Sequence, residues 1–329
     1  MITIVRRSKK RVSVFQWILA TALFTVSCTT DVWNETEDDA NAICFQAPQT
    51  ESRAAVEGSS LPANSSFLVW GGYDNNVTNV FDGETVSEFD GVWNYEGGTR
   101  YWIPGKTYSF YGVYPKLENV STITVDDEGV FSILNFNSSQ SVDLMTASSP
   151  TMYGSSPETV KLSFNHELAW VELIGMMDAA SVAAIPGFKV EVTAVSIYGM
   201  PVVADFVSGV WSSSQTPTDE ITPFKSISGD PVQLSETKET SLLGDLLFVP
   251  QKITDKFCIS ITYKVYSSTN TNGSEITQTI PLATLGVEEW NKSIHYQYRF
   301  TISDTEHILF DRPEVAPWTD ATGGTIVVE

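Results

Sequence analysis

The sequence predicts an all-β protein made of two antiparallel β-sandwich domains in series, with little helix. Three observations favour this fold class. Aromatic residues make up 12% of the 329-residue chain and are interleaved with Val, Ile and Thr, a composition typical of strands. Short apolar runs are separated by turns rich in Gly, Asn, Asp and Pro, which indicates hairpins. No long run has the 3.6-residue periodicity of an amphipathic helix.

Residues 1–27 are predicted to be a signal peptide. Five basic residues precede an apolar run that is shorter than the ~20 residues needed to cross a bilayer. Ser27 and Cys28 follow this run directly, and a small residue before Cys at this place indicates a bacterial lipoprotein, acylated at Cys28. Thr25 stands where Leu is usual, and ordinary cleavage after residues 20–22 is the alternative.

The composition of the mature chain argues against two classes of protein. Removal of residues 1–27 takes away five basic and no acidic residues, so the net charge changes from −21 to −26. A chain this acidic repels nucleic acid, which is not expected as a partner. Cys44 and Cys258 are too few for a disulfide framework. Two buried free thiols, or a single bridge between them, are the alternatives.

The strand-like runs fall into two groups, separated by the Ser/Pro-rich residues 147–158. In residues 257–265 the apolar positions alternate strictly, which predicts a strand with one buried face. The best helix candidate is the short segment 178–187. The predicted organisation is a signal peptide (1–27), an acidic flexible tether (28–41), an N-terminal β-sandwich (42–157), a C-terminal β-sandwich (158–303) and a C-terminal appendage (304–329).

Two segments of the appendage are strand-like. Residues 323–329 place Ile326 and Val328 on one face, and in residues 307–311 Ile308 alternates with Phe310. Such a strand forms an edge of its own sheet, or it inserts into another molecule.

Candidate catalytic and metal sites are weak. The motif "HELAW" begins at His166 like that of a zinc protease, but Trp170 replaces the second His and the segment is strand-like. His166 is therefore predicted to be structural. His295 and His307 lack metal-ligand spacing. The sequence predicts no enzyme, no metal and no cofactor. The aromatic cluster around Trp93 and Trp102 suggests a carbohydrate platform, with core packing as the alternative.

The order of several motifs resembles the fimbrillin family of the Bacteroidales, the subunits of lipoprotein-dependent (type V) pili. The resemblance covers the whole mature chain. The motifs are the lipoprotein site at Cys28, "AICFQA" (42–47), "SRA" (52–54), "YWIPGKTYSFYGVYP" (101–115), "VDLMTASSP" (142–150), "VKLSFNHELAWVEL" (160–173), "YQYRFTI" (296–302) and "VAPWTDATGGTIVV" (315–328).

The resemblance implies two transthyretin-like β-sandwiches and a precursor that is lipidated and exported to the outer membrane surface. A trypsin-like protease then removes the lipidated N-terminus together with the first strand. Arg53 is the only basic residue between Arg11 and Arg100. Cleavage between Arg53 and Ala54 would therefore release the tether and the first strand as one piece.

The resemblance also implies that the vacated groove receives a strand from the C-terminal region of another fimbrial subunit. Ile43 and Phe45 share a face of the departing strand, and Ile326 and Val328 repeat their two-residue spacing. The segment 307–311 is the alternative donor. The expected function is a structural subunit of a surface fimbrium that supports adhesion to host or bacterial surface ligands. The alternative is a cell-surface glycan-binding lipoprotein.

Overall fold

The fold was analysed in a computed structural model. Five of the predicted site residues, Cys28, Arg53, Ala54, Ile326 and Val328, lie outside the residues that it describes. The described residues are 39–46, 49–50, 61, 64–117, 122–140, 142–213, 223–226, 230–304 and 307–318.

Strands dominate the described residues, as the alternation of apolar and polar side chains predicts. The strands before residue 168 are β1 (Gln49–Thr50), β2 (Ser66–Tyr73), β3 (Phe81–Phe89), β4 (Val92–Tyr95), β5 (Thr107–Tyr114), β6 (Thr122–Val125), β7 (Phe131–Asn137), β8 (Met145–Ser148), β9 (Met152–Tyr153) and β10 (Ser163–His166). The later strands are β11 (Ala169–Met177), β12 (Lys189–Tyr198), β13 (Val203–Val207), β14 (Val210–Ser212), β15 (Pro223–Ser226), β16 (Val232–Gln233), β17 (Thr240–Phe248), β18 (Gln251–Lys252), β19 (Cys258–Tyr266), β20 (Ser274–Pro281), β21 (Glu289–Trp290), β22 (Ile294–Ile302), β23 (Ile308–Phe310) and β24 (Glu314–Pro317).

Helix is scarce in the described part of the chain. The α-helix α1 spans Ala179–Ala184, inside the predicted segment 178–187, and the carboxylate of Asp178 caps it by accepting from the backbone amide of Ser181. Short 3-10 helices span Asp39–Asn41, Ser138–Gln140 and Leu282–Leu285.

The described strands form four large sheets and one two-stranded ribbon. Sheet I has the spatial order β1-β10-β8-β5-β2-β3-β4, with β9 beside β5. Sheet II has the order β17-β11-β22-β23, with β24 beside β22, and sheet III has the order β15-β12-β19-β20, with β16 beside β12. Sheet IV has the order β14-β13-β7-β6, and β18 pairs with β21. The predicted all-β, mainly antiparallel class is confirmed, while the number of sandwich domains is still a prediction.

Two pairs among the described strands are parallel rather than antiparallel. β11 runs parallel to β22 along eight residue pairs, and β1 runs parallel to β10. Parallel neighbours need a long crossover connection, and the alternation of side chains does not reveal such a partner. Sheet II therefore has a central parallel pair inside an otherwise antiparallel arrangement.

Three apolar clusters form the core of the described residues. Cluster 1 packs sheet II against sheet III and includes Ile261 and Tyr298, neither of which is exposed. Cluster 2 lies on one face of sheet I and includes Phe67 and Phe110. Cluster 3 joins sheet I to sheet IV, the tail after β24 and part of β17; its sheet I members include Trp70.

Three strand pairings among the described residues join the two halves of the chain. β10 pairs with β1 and with β8 in sheet I, and β13 pairs with β7 in sheet IV. All three connect residues on either side of the predicted domain boundary between residues 157 and 158. The boundary is still a prediction, and sheet IV is built by both halves.

Cys258 at the start of β19 is a free cysteine, so the bridge between Cys44 and Cys258 that the sequence allowed is not formed. The Cys258 residue is only partly buried, and this burial raises the pKa of its thiol. The thiol is therefore protonated at neutral pH.

Candidate functional site: the slot that holds residues 41–46 and 49–50

Residues 41–46 and β1, together the N-terminal run, lie between two ends of sheet I. Ala42 forms an antiparallel bridge with Tyr101, and Phe45 forms an antiparallel bridge with Trp93 and a parallel bridge with Val160. Trp93 belongs to β4 at one end of sheet I, while Val160 leads into β10 near the other end. The N-terminal run therefore closes sheet I on itself. Without it, both edges would present unpaired backbone groups.

Four backbone hydrogen bonds, two on each side, hold residues 41–46 in this slot. They run from Ile43 N to Arg100 O (2.8 Å), from Trp102 N to Asn41 O (2.8 Å), from Val160 N to Cys44 O (2.8 Å) and from Gln46 N to Val160 O (3.0 Å). β1 continues the parallel alignment along β10. Each such bond contributes about 1 kcal/mol net, and a buried group that loses its partner costs about 1–3 kcal/mol.

The two apolar side chains of the run point into cluster 2. Ile43 is 1% exposed and Phe45 is 5% exposed. The ring of Phe45 meets four aromatic rings edge-on, at centroid distances of 5.6–6.2 Å, an arrangement that aromatic quadrupoles favour. These four rings belong to Phe67, Phe81, Tyr95 and Phe110. The two residues predicted to leave on processing thus fill a deep apolar slot.

The wall of the slot beside β4 contacts the run through the hydroxyl of Tyr95, and we name its two hydrogen bonds the clasp. The hydroxyl of Tyr95 donates to the carbonyl oxygen of Ile43 (3.0 Å) and accepts from the backbone amide of Arg100 (3.1 Å). Burial raises the pKa of Tyr95, so the hydroxyl keeps its proton at neutral pH. The guanidinium of Arg100 donates to the Val80 carbonyl (2.9 Å) and pairs with Glu84 (2.6 Å). The two contacts of the Arg100 guanidinium are made within the wall and do not involve the run.

Sequence reasoning did not find the slot walls. Tyr95, Arg100 and Val160 carry no local signal, because their role comes from strand pairs that are distant in sequence. Tyr95 and Ile43, for example, are 52 residues apart.

The alternative donor segment is an edge strand of its own sheet. β23 pairs with β22, with Ile308 opposite Ile302 and Phe310 opposite Phe300. Ile308 and Phe310 are partly buried against cluster 1. β24 pairs with the first half of β22. Donation of residues 307–311 would thus first require β23 to separate from sheet II.

Trp318 anchors the chain directly after β24. Its side chain is 8% exposed and stacks on the imidazole of His166, with ring centroids 3.8 Å apart and 14° between the planes. His166 is 2% exposed and its Nδ1 lies 3.0 Å from the Asp143 carboxylate. His166 thus occupies a packing position at the end of β10.

The aromatic platform proposed on Trp93 and Trp102 is not available to a ligand. Their exposed fractions are 5% and 4%, and both side chains belong to cluster 2. Core packing is therefore the correct alternative for these two tryptophans. The glycan-binding hypothesis loses both of them, while Tyr101 of the same aromatic cluster is exposed.

The described residues hold neither a metal cluster nor a membrane-spanning helix. No group of three or more His, Cys, Asp or Glu side chains in this part of the chain is arranged to hold a metal ion. Within the same residues, no helix has the length and apolar character needed to cross a membrane.

Sequence comparison decides the family. A family model described as fimbrillin-like matches residues 52–318, which is most of the chain. The chain belongs to the fimbrillin-like family. No curated protein matches this fimbrillin-like chain.

Solved structures share the fold of this fimbrillin-like chain. A fimbrial protein from Bacteroides vulgatus is similar over 85% of this chain and 100% of its own, with a TM-score of 0.58 and 18% identity. A candidate cell adhesion protein from Bacteroides ovatus is similar over 85% and 98%, with a TM-score of 0.50 and 15% identity. A fimbrilin from Porphyromonas gingivalis covers 86% and 98%, but its TM-score of 0.42 at 11% identity supports no argument. At these identities the first two show a common fold alone.

Proposed function

We propose that this chain is a structural subunit of a surface fimbrium that supports cell adhesion, and that it assembles by strand exchange after proteolytic removal of its N-terminal segment. Membership of the fimbrillin-like family supports the fimbrial role. One observation carries the mechanism: the N-terminal run closes sheet I by pairing with both of its ends. A strand held in this way leaves a ready-made acceptor when it departs.

Proteolysis at Arg53 is the step that would free the slot. Arg53 follows the end of β1 by three residues, and residues 29–52 contain no other basic residue. Hydrolysis of the bond between Arg53 and Ala54 therefore detaches the tether and the whole run as one peptide. The family model begins at residue 52, so the matched part is nearly the part that would remain.

The vacated slot favours a strand with two large apolar side chains that are two residues apart and share one face. Ile326 and Val328 repeat the spacing of Ile43 and Phe45. Each large apolar side chain that becomes buried contributes about 1.5–3 kcal/mol, and each strand hydrogen bond adds about 1 kcal/mol. These contacts must break together for the strand to leave, so a non-covalent fibre assembled in this way dissociates slowly.

The lipid at Cys28 would hold the precursor at the outer membrane before cleavage. Two acyl chains or more give a stable anchor, and the cut at Arg53 removes it. The partners are then other fimbrial subunits, identical or different, and the fibre meets host or bacterial surfaces. The subunit needs no cofactor, metal or catalytic residue for this role.

Limited proteolysis tests the proposal. Low-dose trypsin should convert the precursor to a stable fragment that begins at Ala54 and then to high-mass ladders. Arg53→Gln should block both products, whereas Arg312→Gln, at an exposed arginine elsewhere, should leave them unchanged. Deletion of residues 323–329 should stop the ladders while the thermal unfolding of the monomer is unchanged. Clips only at other sites, or a processed chain that stays monomeric, would overturn the proposal.

A further inference from the structure

Three exposed apolar side chains cluster at one end of the slot. Tyr101, Ile103 and Tyr153 are 45%, 42% and 59% exposed, and we name them the mouth patch. They are a large share of the eight exposed large hydrophobic residues in the described part of the chain. Monomeric proteins rarely keep such side chains together in water without a partner.

The register of the N-terminal run places the mouth patch. Tyr101 lies opposite Ala42, and Trp102 N donates to Asn41 O, so Ile103 lies just beyond the start of the run. The turn directly after β9, the strand that contains Tyr153, is bonded to residues 105 and 106. Two hydrogen bonds do this, from Gly154 N to Lys106 O (2.9 Å) and from Gly105 N to Ser155 Oγ (2.7 Å).

A pocket beside the mouth patch gives it depth. The pocket has a volume of about 290 Å³, and its lining includes Tyr153, Ser156 and Lys161. Aromatic and aliphatic side chains at the centre of protein interfaces commonly sit in such pockets. The mouth patch therefore adjoins a concave surface at Tyr153.

The hydrogen-bond pattern sets the direction of an incoming strand. The run is antiparallel to residues 93–101 and parallel to residues 160–164. Parallel and antiparallel ladders space their bonds differently, so a donor that reuses the slot's backbone groups must run in the same direction as the run. Its chain then enters beside Tyr101 and Ile103.

The short link between Trp318 and the predicted donor strand keeps the donating subunit close to the mouth patch of the acceptor. Four residues, 319–322, separate Trp318 from the predicted donor strand 323–329. The distance from Trp318 to Gly323 is at most about 17 Å when that link is fully extended. Trp318 is buried in its own subunit, so the body of the donor must lie close to the mouth of the acceptor's slot.

We propose that the mouth patch is the docking surface for the body of the donating subunit, a second copy of this chain. This inference rests on the strand exchange proposed above and adds a contact outside the slot. The donor offers Val315, which is 52% exposed and lies three residues before Trp318. The two surfaces are different parts of the molecule, so the contact is head-to-tail and extends into a filament.

A comparison of matched double variants tests this contact. Ile103→Ser with Tyr153→Ser removes one aliphatic and one aromatic side chain from the mouth patch. Phe89→Ser with Val210→Ser removes the same pair of chemical types from positions that are 70% and 64% exposed, in two hairpins away from the mouth. Each variant is processed with trypsin, checked for its melting temperature, and assayed in two ways.

The first assay measures binding of a labelled synthetic peptide of residues 319–329, which needs the slot alone. The second measures the rate of polymer formation, which needs the donor body as well. The mouth variant should bind the peptide within about twofold of the parent but polymerise about tenfold more slowly. The matched control should equal the parent in both assays.

The other outcomes overturn the inference in distinguishable ways. Parental polymerisation by the mouth variant shows that the patch is no subunit contact, while the slot mechanism stands. If the mouth variant loses peptide binding and polymerisation equally, the patch contributes to strand binding in the slot and is not a separate subunit contact. A change in the melting temperature of the unprocessed chain alone assigns the patch to the chain's own N-terminal segment. A processed parent that does not bind the peptide refutes residues 323–329 as the donor strand, on which this inference rests.

Discussion

Replacing Phe45 by alanine should lower the free energy of unfolding of the unprocessed chain by about 3–5 kcal/mol, the range for buried Phe→Ala substitutions. Phe45 is 5% exposed and its ring touches four other rings edge-on. The backbone at this point is bonded on both sides, so the site cannot collapse and a cavity would persist. The cost should therefore fall in the upper part of the range.

Urea unfolding of the unprocessed chain, followed by tryptophan fluorescence, measures this loss. Gln46→Ala is the control, because Gln46 is exposed and surface substitutions change stability by less than about 0.5 kcal/mol. A loss below about 1 kcal/mol for Phe45→Ala would refute the view that this ring fills the slot. After cleavage at Arg53, parent and variant should form identical polymers, since Phe45 leaves with the released peptide.

Three further predictions concern single side chains. Tyr95→Phe removes the hydroxyl that donates to the Ile43 carbonyl; it should cost the unprocessed chain about 1–2 kcal/mol in urea unfolding, and an unchanged midpoint would contradict the clasp. Burial raises the pKa of Glu172, but its contacts with His295 and neighbouring polar groups outweigh burial and leave that pKa below its ordinary value of 4.5. The charged carboxylate thus adds stability that is complete above the ordinary pKa and is lost as the pH falls through the folded pKa. Glu172→Gln should flatten the acid side of a plot of melting temperature against pH, and a parallel curve would show that the carboxylate plays no part. Burial raises the pKa of the Cys258 thiol, so iodoacetamide at neutral pH should label it more slowly in the folded chain than in urea, without reductant, as peptide mapping would show; equal rates would contradict this protection.

Local alternation was enough to predict the strands and their buried faces. The apolar positions of residues 257–265 predicted one buried face, and in β19 Ile259, Ile261 and Tyr263 are at most 1% exposed. Side chains alternate between the two faces of any strand, so the prediction needs no knowledge of the partner strands. The same reasoning placed Ile43 and Phe45 on one face.

Pairing partners could not be read from the sequence. The first predicted strand, 42–47, forms isolated bridges at Ala42 and Phe45 in place of a regular ladder, and regular pairing begins only at β1. The bridges join this run to two parts of sheet I that are far apart in sequence. Closure of a sheet depends on the whole fold, so no local pattern identifies Tyr95 or Val160 as walls of the slot.

The short stretch from Val160 to His166 has a mechanical consequence. Val160 pairs with the strand in the slot, and His166 carries the indole of Trp318 from which the tail departs. In a fibre assembled as proposed, pulling force would enter this stretch at Val160 and leave it at His166, while the pairing of β24 with β22 would share the load with sheet II. Force spectroscopy on fibres of a His166→Ala variant would measure how much of the load the stacking contact carries.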